Sequence, residues 1–205
     1  MNIFILDDNL LKSASYMVDR HIVKMPTESL QMLMTNMILR DSDTHRDDYP
    51  LTKAGTQYKI SHKNHPCTQW ARENISNFKW LLDYAEIMCR EYTAIYGKIH
   101  YASLGMAWIR YKLENSPHRF PFAQSAMTPF PLCMPDEYKS PDGNAVKSYR
   151  NYYLGDKSHL FKWHHPVPDW ITVCSECISV DGKVWGATVR KSILLGLGVT
   201  NEGHI

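Results

Sequence analysis

Apolar residues recur every three or four positions in several parts of the chain, which is the spacing of one buried helix face. The pattern predicts helices over residues 9–19 and 22–39, as two helices or as one kinked helix. It is clearest over residues 65–97, where we predict a single long helix. Shorter patterns predict further helices over residues 104–115 and within residues 145–163.

Other segments lack this helical spacing. The initial run MNIFILD predicts a buried strand or an extended arm. Residues 116–143 contain six prolines and predict a long ordered or semi-ordered loop, a feature that is often functional in compact domains. After Pro166, strand-like residues flank an Asp-Gly turn signal, and residues 187–199 predict a last short helix.

Together these elements predict a mainly α fold. We expect a compact single-domain helical fold over residues 1–165, with a short N-terminal strand or arm. Residues 166–205 are expected to form a small C-terminal β-rich extension of unknown role. Because proline removes a helix hydrogen bond and clashes with the preceding turn, Pro26 is predicted to begin the helix that carries Glu28.

Composition narrows the class of protein. The 205 residues are 44% hydrophobic and 21% charged, which suits one sizeable core. They contain no run of 18 apolar residues that would span a membrane, and the acidic start is unlike a signal peptide. A net charge of +2 is compatible with nucleic acid without indicating it. Five cysteines, an odd number, favour reduced thiols and a cytoplasmic location.

The stretch from Asp19 to Leu33 carries the first candidate chemistry. At about 100° per residue, His21 and Glu28 are nearly eclipsed on one helix face. Lys24, Gln31 and Thr35 share that face. A carboxylate beside a histidine suits the stabilisation of a developing cation or the transfer of a proton. The alternative is a solvated polar stripe.

A second cluster, SHKNHPCTQWARE, lies at a predicted helix start, with Asn64 or Thr68 as the candidate cap. Asn64, Arg72 and the first helix amides could bind a phosphate or a base. The same stretch could instead bind a metal through His62, His65 and Cys67, although zinc would need a further ligand.

Two further segments allow both a functional and a structural interpretation. Cys174 and Cys177 form one C-x-x-C pair near His164 and His165, which is an incomplete zinc signature or simply two reduced cysteines. The segment AVKSYRNYYLGDK interleaves basic residues with tyrosines, which could hold a phosphate backbone and stack on a base. Its alternative is an amphipathic helix with tyrosines in the core.

The segment DRHIVKMPTE resembles the pyrimidine-dimer DNA glycosylases of the phage endonuclease V type. It has their Asp-x-His followed by a glutamate seven residues after the histidine. SYRNYYLGDK is similar to their Tyr- and Lys-rich segment that contacts damaged DNA. NIFILD, HKNHPCTQWARE and TPFPLCMPDEYK resemble a group of phage and bacterial proteins of the same kind. The resemblance covers residues 1–165.

The resemblance implies a monomeric enzyme that acts on double-stranded DNA, uses no metal or other cofactor and extrudes the target base. Glu28 would stabilise the oxocarbenium-like transition state, with His21 and Asp7 as further catalytic candidates. The DNA-binding candidates are Arg20, Lys24, Gln31, Asn64, His65, Arg72, Lys147, Tyr149, Arg150, Tyr152 and Lys157.

One feature departs from that family, whose members use the α-amine of a small residue exposed by removal of the initiator methionine. Position 2 is Asn2, a residue that leaves Met1 in place. We therefore expect a monofunctional glycosylase with water as nucleophile, partnered by Glu28 or Asp7. AP-lyase activity stays open.

The substrate also stays open. It is a pyrimidine dimer or a bulky hypermodified phage pyrimidine such as glucosylated 5-hydroxymethylcytosine, which would suit a role in antiphage defence. Two other functions remain as alternatives: a nucleic-acid-binding protein without catalysis, and a small zinc-stabilised interaction protein built around Cys174 and Cys177.

Overall fold

A computed structural model describes residues 1–43, 45–173, 178–180 and 183–185. The α-helices of these residues are α1 (Leu10–Ser15), α2 (Asp19–Arg40), α3 (Pro66–Glu73), α4 (Ile75–Tyr96), α5 (Ala102–Asn115) and α6 (Ala145–Asp156). Short 3-10 turns lie at Pro117–Arg119, Asp136–Tyr138 and Ser158–Leu160. The prediction of a mainly α fold is confirmed. No helix in the described ranges has the length and apolarity needed to cross a membrane.

Three short strands follow the last turn: β1 (Thr172–Val173), β2 (Ile178–Val180) and β3 (Lys183–Trp185). They pair antiparallel in the order β1-β2-β3. The β-rich extension as a whole stays a prediction, because Cys174, Cys177 and the helix predicted over residues 187–199 lie outside the described residues. At the other end, residues 1–6 have no regular secondary structure, so the first apolar run is an arm.

The chain divides into two units. The first contains Met1–Ile3 and Val23–Cys133, and the second contains Phe4–Ile22 and Met134–Ile205. Helix α2 starts in the second unit and continues through the first.

The core of the first unit is built from the apolar faces of α2, α4 and α5. Leu33, Met37, Phe78 and Leu81 are fully buried, and burying an aliphatic or aromatic side chain of this size contributes about 1.5–3 kcal/mol. A Cβ at Gly105 would lie 2.8 Å from both Cδ atoms of Leu30. Glycine at this position therefore lets α5 approach α2 closely.

Helix α2 passes through Pro26 without a break, so the prediction that Pro26 begins a helix is wrong. Proline cannot donate a hydrogen bond to the preceding turn, and the carbonyls near it lose their usual geometry. In that turn, Nε2 of the buried His100 lies 3.1 Å from the Val23 carbonyl oxygen, next to the Ile22 carbonyl that Pro26 leaves without its N–H partner. His100 accepts the Ala102 N–H at Nδ1, which leaves Nε2 as the donor of a neutral ring.

The single long helix predicted over residues 65–97 is also wrong, since α3 and α4 are separated at Asn74. Asn74 has extended backbone (φ −154°, ψ 170°), and its side chain accepts the Asn77 N–H at 2.9 Å. This capping bond starts a new helix in the middle of a continuous apolar pattern. The predicted cap at Gly97 is confirmed, with φ of 63° in the left-handed region.

The start of α3 differs from the prediction in its cap. Pro66 occupies the first turn as expected, but His65 rather than Asn64 or Thr68 is the capping residue. Its Nδ1 accepts the Cys67 N–H at 3.2 Å.

A buried ion pair orders the polar loop that follows α2. The Asp41 carboxylate is fully buried and accepts two hydrogen bonds from the Arg119 guanidinium, at 2.6 and 2.8 Å. Arg119 also reaches Asp48 at 3.0 Å, and Tyr49 donates to Asp41 at 2.8 Å. The loop is thereby tied to the 3-10 turn at Pro117–Arg119.

Candidate active site

Glu28 lies between two cations in the first unit. Its Oε2 is 3.8 Å from the α-amine of Met1, and its Oε1 is 2.9 Å from Nζ of Lys24. The side chain of Glu28 is 13% exposed, whereas that of Lys24 is 68% exposed. A nearly buried carboxylate, one of whose neighbours is an exposed lysine, can face a substrate atom and stabilise positive charge that develops there.

The α-amine reaches Glu28 because the arm behind it is anchored. Asn2 donates from Nδ2 to the Cys133 carbonyl at 2.8 Å, and its Oδ1 accepts the Ile3 N–H at 3.0 Å. Ile3 is buried. The first three residues therefore fix the position of the amine beside the carboxylate.

His65 belongs to the same electrostatic neighbourhood. Burial lowers the pKa of His65, the charges of the α-amine and His62 lower it further, and the charge of Glu28 raises it. The sequence predicts His65 as a DNA-binding residue and as a possible metal ligand. The structure places it at the cap of α3, where the charges of the amine and of Glu28 act on its protonation.

A cavity of about 320 Å³ lies against α2, on the side that carries Thr27, Leu30 and Gln31. Thr27 and Gln31, which flank Glu28 along the helix, form one wall, and Tyr58 and Tyr101 contribute rings. Its remaining lining residues are Leu30, Thr52, Lys53, Ala54 and Ala102. Burial raises the pKa of Tyr58, and the nearby Tyr101 raises it further, so the Tyr58 phenol stays a protonated donor. The volume lies at the lower end of the range for small-ligand pockets, which is roughly 300–1,000 Å³.

Arg72 is engaged with the segment before α3. Its guanidinium donates to the Lys63 carbonyl and to Asn36, each at 3.2 Å. Asn64 is exposed beside this anchor. Arg72 thereby connects the segment before α3 to Asn36 of α2. Its contact with DNA stays a prediction.

The second unit holds His21. Its ring is 6% exposed, stacks on Phe4 with centroids 4.5 Å apart, and its Nδ1 lies 2.5 Å from the Tyr153 hydroxyl. Helix geometry does place His21 in register with Glu28, as predicted, but its own neighbours are those of an aromatic core. Arg20, the next residue toward the start of α2, is exposed.

Asp7 is paired within the second unit. Its Oδ2 is 3.3 Å from the Arg150 guanidinium, and its Oδ1 accepts the Asn9 N–H at 2.9 Å. Arg150 also donates to the Leu6 carbonyl at 2.8 Å and lies 5.0 Å from the Trp170 ring centre. The direct neighbours of Asp7 thus fix the end of the arm against α6.

The basic and aromatic residues of α6 divide by exposure. Tyr149 is fully buried, so the amphipathic alternative describes it correctly. Tyr152 is half-buried, with the Lys157 ammonium 4.7 Å from its ring centre. Lys147 is exposed and 3.1 Å from Asp142. Lys147, Tyr152 and Lys157 thus retain surface that a nucleic acid could contact.

A comparison with known protein families bears on the residues around Glu28. The sequence model of the pyrimidine dimer DNA glycosylase family matches residues 1–95, which include Met1, Glu28 and His65. The resemblance indicated by DRHIVKMPTE is thereby confirmed, and DNA glycosylase activity is the general function that it indicates. SYRNYYLGDK and TPFPLCMPDEYK lie beyond the match. No curated protein and no solved structure matches the chain.

Proposed function

We propose that this protein is a DNA N-glycosylase that excises a damaged or bulky modified pyrimidine and leaves an abasic site. One observation carries the proposal: Glu28 is nearly buried between Lys24 and the Met1 α-amine, within the residues that match a glycosylase family. An oxocarbenium-like transition state needs a fixed anion beside the sugar, and the Glu28 carboxylate is a suitable group.

The proposed reaction is hydrolytic. The bond between C1′ and the base nitrogen breaks, and its electron pair leaves with the base. Positive charge then develops on C1′ and the ring oxygen, opposite the Glu28 carboxylate. A water molecule adds to C1′ and gives up its proton to Glu28, which completes the abasic sugar. Asp7 remains a second candidate partner for that water.

The cavity lined by Thr27 and Gln31, near neighbours of Glu28 along α2, supports extrusion of the base from the duplex. Its rings, Tyr58 and Tyr101, can stack on an extruded base, and its amide, Gln31, can bind the edge of that base. Gln31 follows Glu28 by nearly one helix turn, so base and sugar would be bound by adjacent residues of α2.

The remaining predicted residues are assigned by exposure. Arg20 and Lys24 are exposed on α2 and would bind phosphates near the target nucleotide. Lys147, Tyr152 and Lys157 would contact the strand, together with Arg150, Asn64 and Arg72. His21 and Tyr149 are buried, and in this proposal they position α2 and α6 rather than contact DNA.

The substrate class follows from the same proposal as a pyrimidine carrying extra bulk, either a cyclobutane dimer or a glucosylated 5-hydroxymethylcytosine. The test is incubation with four matched duplexes, namely undamaged, ultraviolet-irradiated, hydroxymethylated and glucosylated, followed by detection of abasic sites. Abasic sites in one of the last three, and a loss of them with Glu28→Gln, would support the proposal. Binding to all four without base release would instead favour a nucleic-acid-binding protein.

A second candidate function is favoured by the position of the Met1 amine, 3.8 Å from Glu28. In a glycosylase with lyase activity, this amine, in its unprotonated form, would attack C1′, and the base would leave with the electron pair of the broken bond. Loss of a proton from the nitrogen and cleavage of the bond between C1′ and the ring oxygen would then give an imine. Borohydride would reduce the imine to a stable amine and join protein to DNA. Water as the nucleophile predicts base release without covalent capture. Capture that disappears when Met1 is N-acetylated would establish the lyase instead.

A further inference from the structure

We propose that His65, Cys67 and Cys133 form a binding site for a thiophilic divalent metal ion, with zinc as the preferred occupant. One donor atom from each residue lies within 4.8 Å of the other two, and the two sulfur atoms are 3.5 Å apart. Two sulfur ligands of tetrahedral zinc, with Zn–S distances of about 2.3 Å, are separated by about 3.8 Å. The thiols therefore already have nearly the spacing that the ion requires.

The cluster has the rigidity expected of a built site. Cys67 is fully buried in the first turn of α3, and its N–H is bound to the ring of His65. Cys133 is half-buried, and its carbonyl accepts the Asn2 side chain. Two of the three donors are therefore fixed by local helix geometry, and the third is fixed by a hydrogen bond from the N-terminal arm.

Asn2 lies close enough to the cluster to supply a fourth ligand. Its Oδ1 lies 3.9 Å from the Cys67 sulfur, so this oxygen or a water molecule could complete a tetrahedral site with three protein ligands. Asn2 follows Met1, whose amine contacts Glu28. A bound ion would thus hold the same arm that places the amine, although the proposal does not depend on glycosylase activity.

The site differs from the metal possibility that the sequence suggests. The sequence suggests His62 as the third ligand, but His62 is exposed, and its Nδ1 is 2.7 Å from the Ser61 hydroxyl. Cys133 takes that place from the proline-rich loop, 66 residues after Cys67.

The experiment uses the full chain, stripped of metal by a chelator and kept reduced. Zinc affinity is measured by competition with a chromophoric chelator, and cobalt is added in parallel as a spectroscopic probe of thiolate ligation. Cys67→Ser and Cys133→Ser should each weaken zinc binding by at least the roughly 100-fold that loss of a supporting hydrogen bond can cause. Both should also remove the sulfur-to-cobalt absorption band.

His65→Asn is the most informative variant, because asparagine is a favoured helix cap that lacks the imidazole. It should weaken zinc binding while the melting temperature of the zinc-free protein stays near that of wild type. Two variants serve as controls and should bind zinc normally. One is Cys89→Ser, which changes a buried cysteine beside Met106. The other is the double variant Cys174→Ser, Cys177→Ser.

Two results would overturn the proposal. One is zinc binding that survives Cys67→Ser and Cys133→Ser but is lost in the Cys174→Ser, Cys177→Ser variant. The other is a reduced wild-type chain that takes up less than one zinc ion at concentrations that saturate ordinary Cys- and His-based sites.

Discussion

Replacement of Glu28 by glutamine should abolish most base release while leaving DNA binding intact. The change removes one negative charge with almost no change in shape. The carboxylate is 13% exposed, so the charge that it loses acts in a partly desolvated site. The positive charges of Lys24 and the Met1 amine are present in both proteins and largely cancel in the comparison.

The expected magnitude follows from Coulomb's law. A carboxylate about 4 Å from the developing positive charge stabilises it by about 4 kcal/mol at an effective dielectric constant of about 20. Since each 1.36 kcal/mol is roughly a tenfold change in rate, Glu28→Gln should slow base release by about 1,000-fold. DNA affinity should stay equal or rise slightly, because a negative charge near the phosphates has been removed.

The assay is single-turnover formation of abasic sites with enzyme in excess over the DNA that wild type cleaves best. Fluorescence anisotropy measures binding, and thermal unfolding verifies the fold. Glu114→Gln provides the matched control, because it makes the same change at an exposed position on α5. A loss below about tenfold would correspond to less than about 1.4 kcal/mol and would exclude Glu28 as the group beside the reacting sugar.

Three further changes test other parts of the structure. Tyr101→Ala should slow base release about tenfold or more, because stacking of a base on an aromatic ring contributes about 1–3 kcal/mol. An unchanged single-turnover rate would exclude the cavity as the site of the extruded base. Arg119→Met removes the cation that pairs with the buried Asp41 carboxylate. The free energy of unfolding, measured in urea, should therefore fall by about 3–5 kcal/mol. A fall of less than about 1 kcal/mol would contradict this role of the ion pair. Burial lowers the pKa of His100, so below its ordinary value of about 6.5 the unfolded chain binds a proton that the native ring does not. The stability that His100 contributes should be fully present above that pH and should decline as the pH falls. Urea titrations over this pH range measure the free energy of unfolding. The decline due to His100 should be absent from a His100→Gln variant.

Much of the fold could be predicted because helix formation leaves a local pattern. The apolar spacing located α4, α5 and α6, and Gly97 marked a helix end correctly. The errors in the helix boundaries at Asn74 and Pro26 have physical causes that lie outside that pattern. Asn74 interrupts a continuous apolar face by capping the next helix with its own side chain. Helix α2 continues through Pro26, and His100, 77 residues from the Val23 carbonyl that it binds, adds a contact to this turn from another segment.

The candidate site was harder to predict than the fold, because its members come from separate segments. Glu28 could be found from its register on α2, which depends only on local spacing. Tyr58 and Tyr101 had no local signal, since their rings form a cavity only when the loop after α2 and the start of α5 meet that helix. Cys133 lies in a loop without periodicity, and its nearness to Cys67 depends on tertiary structure.

The pairing of His21 with Glu28 shows what helical register can and cannot determine. Register fixes the direction in which a side chain leaves the helix axis, and both residues do lie on one continuous helix. It does not fix what fills the space in that direction. For His21 that space holds Phe4 and the Tyr153 hydroxyl, and for Glu28 it holds the Met1 amine. Met1 and His65 both interact electrostatically with the Glu28 carboxylate, and these are the first groups to test as its catalytic partners.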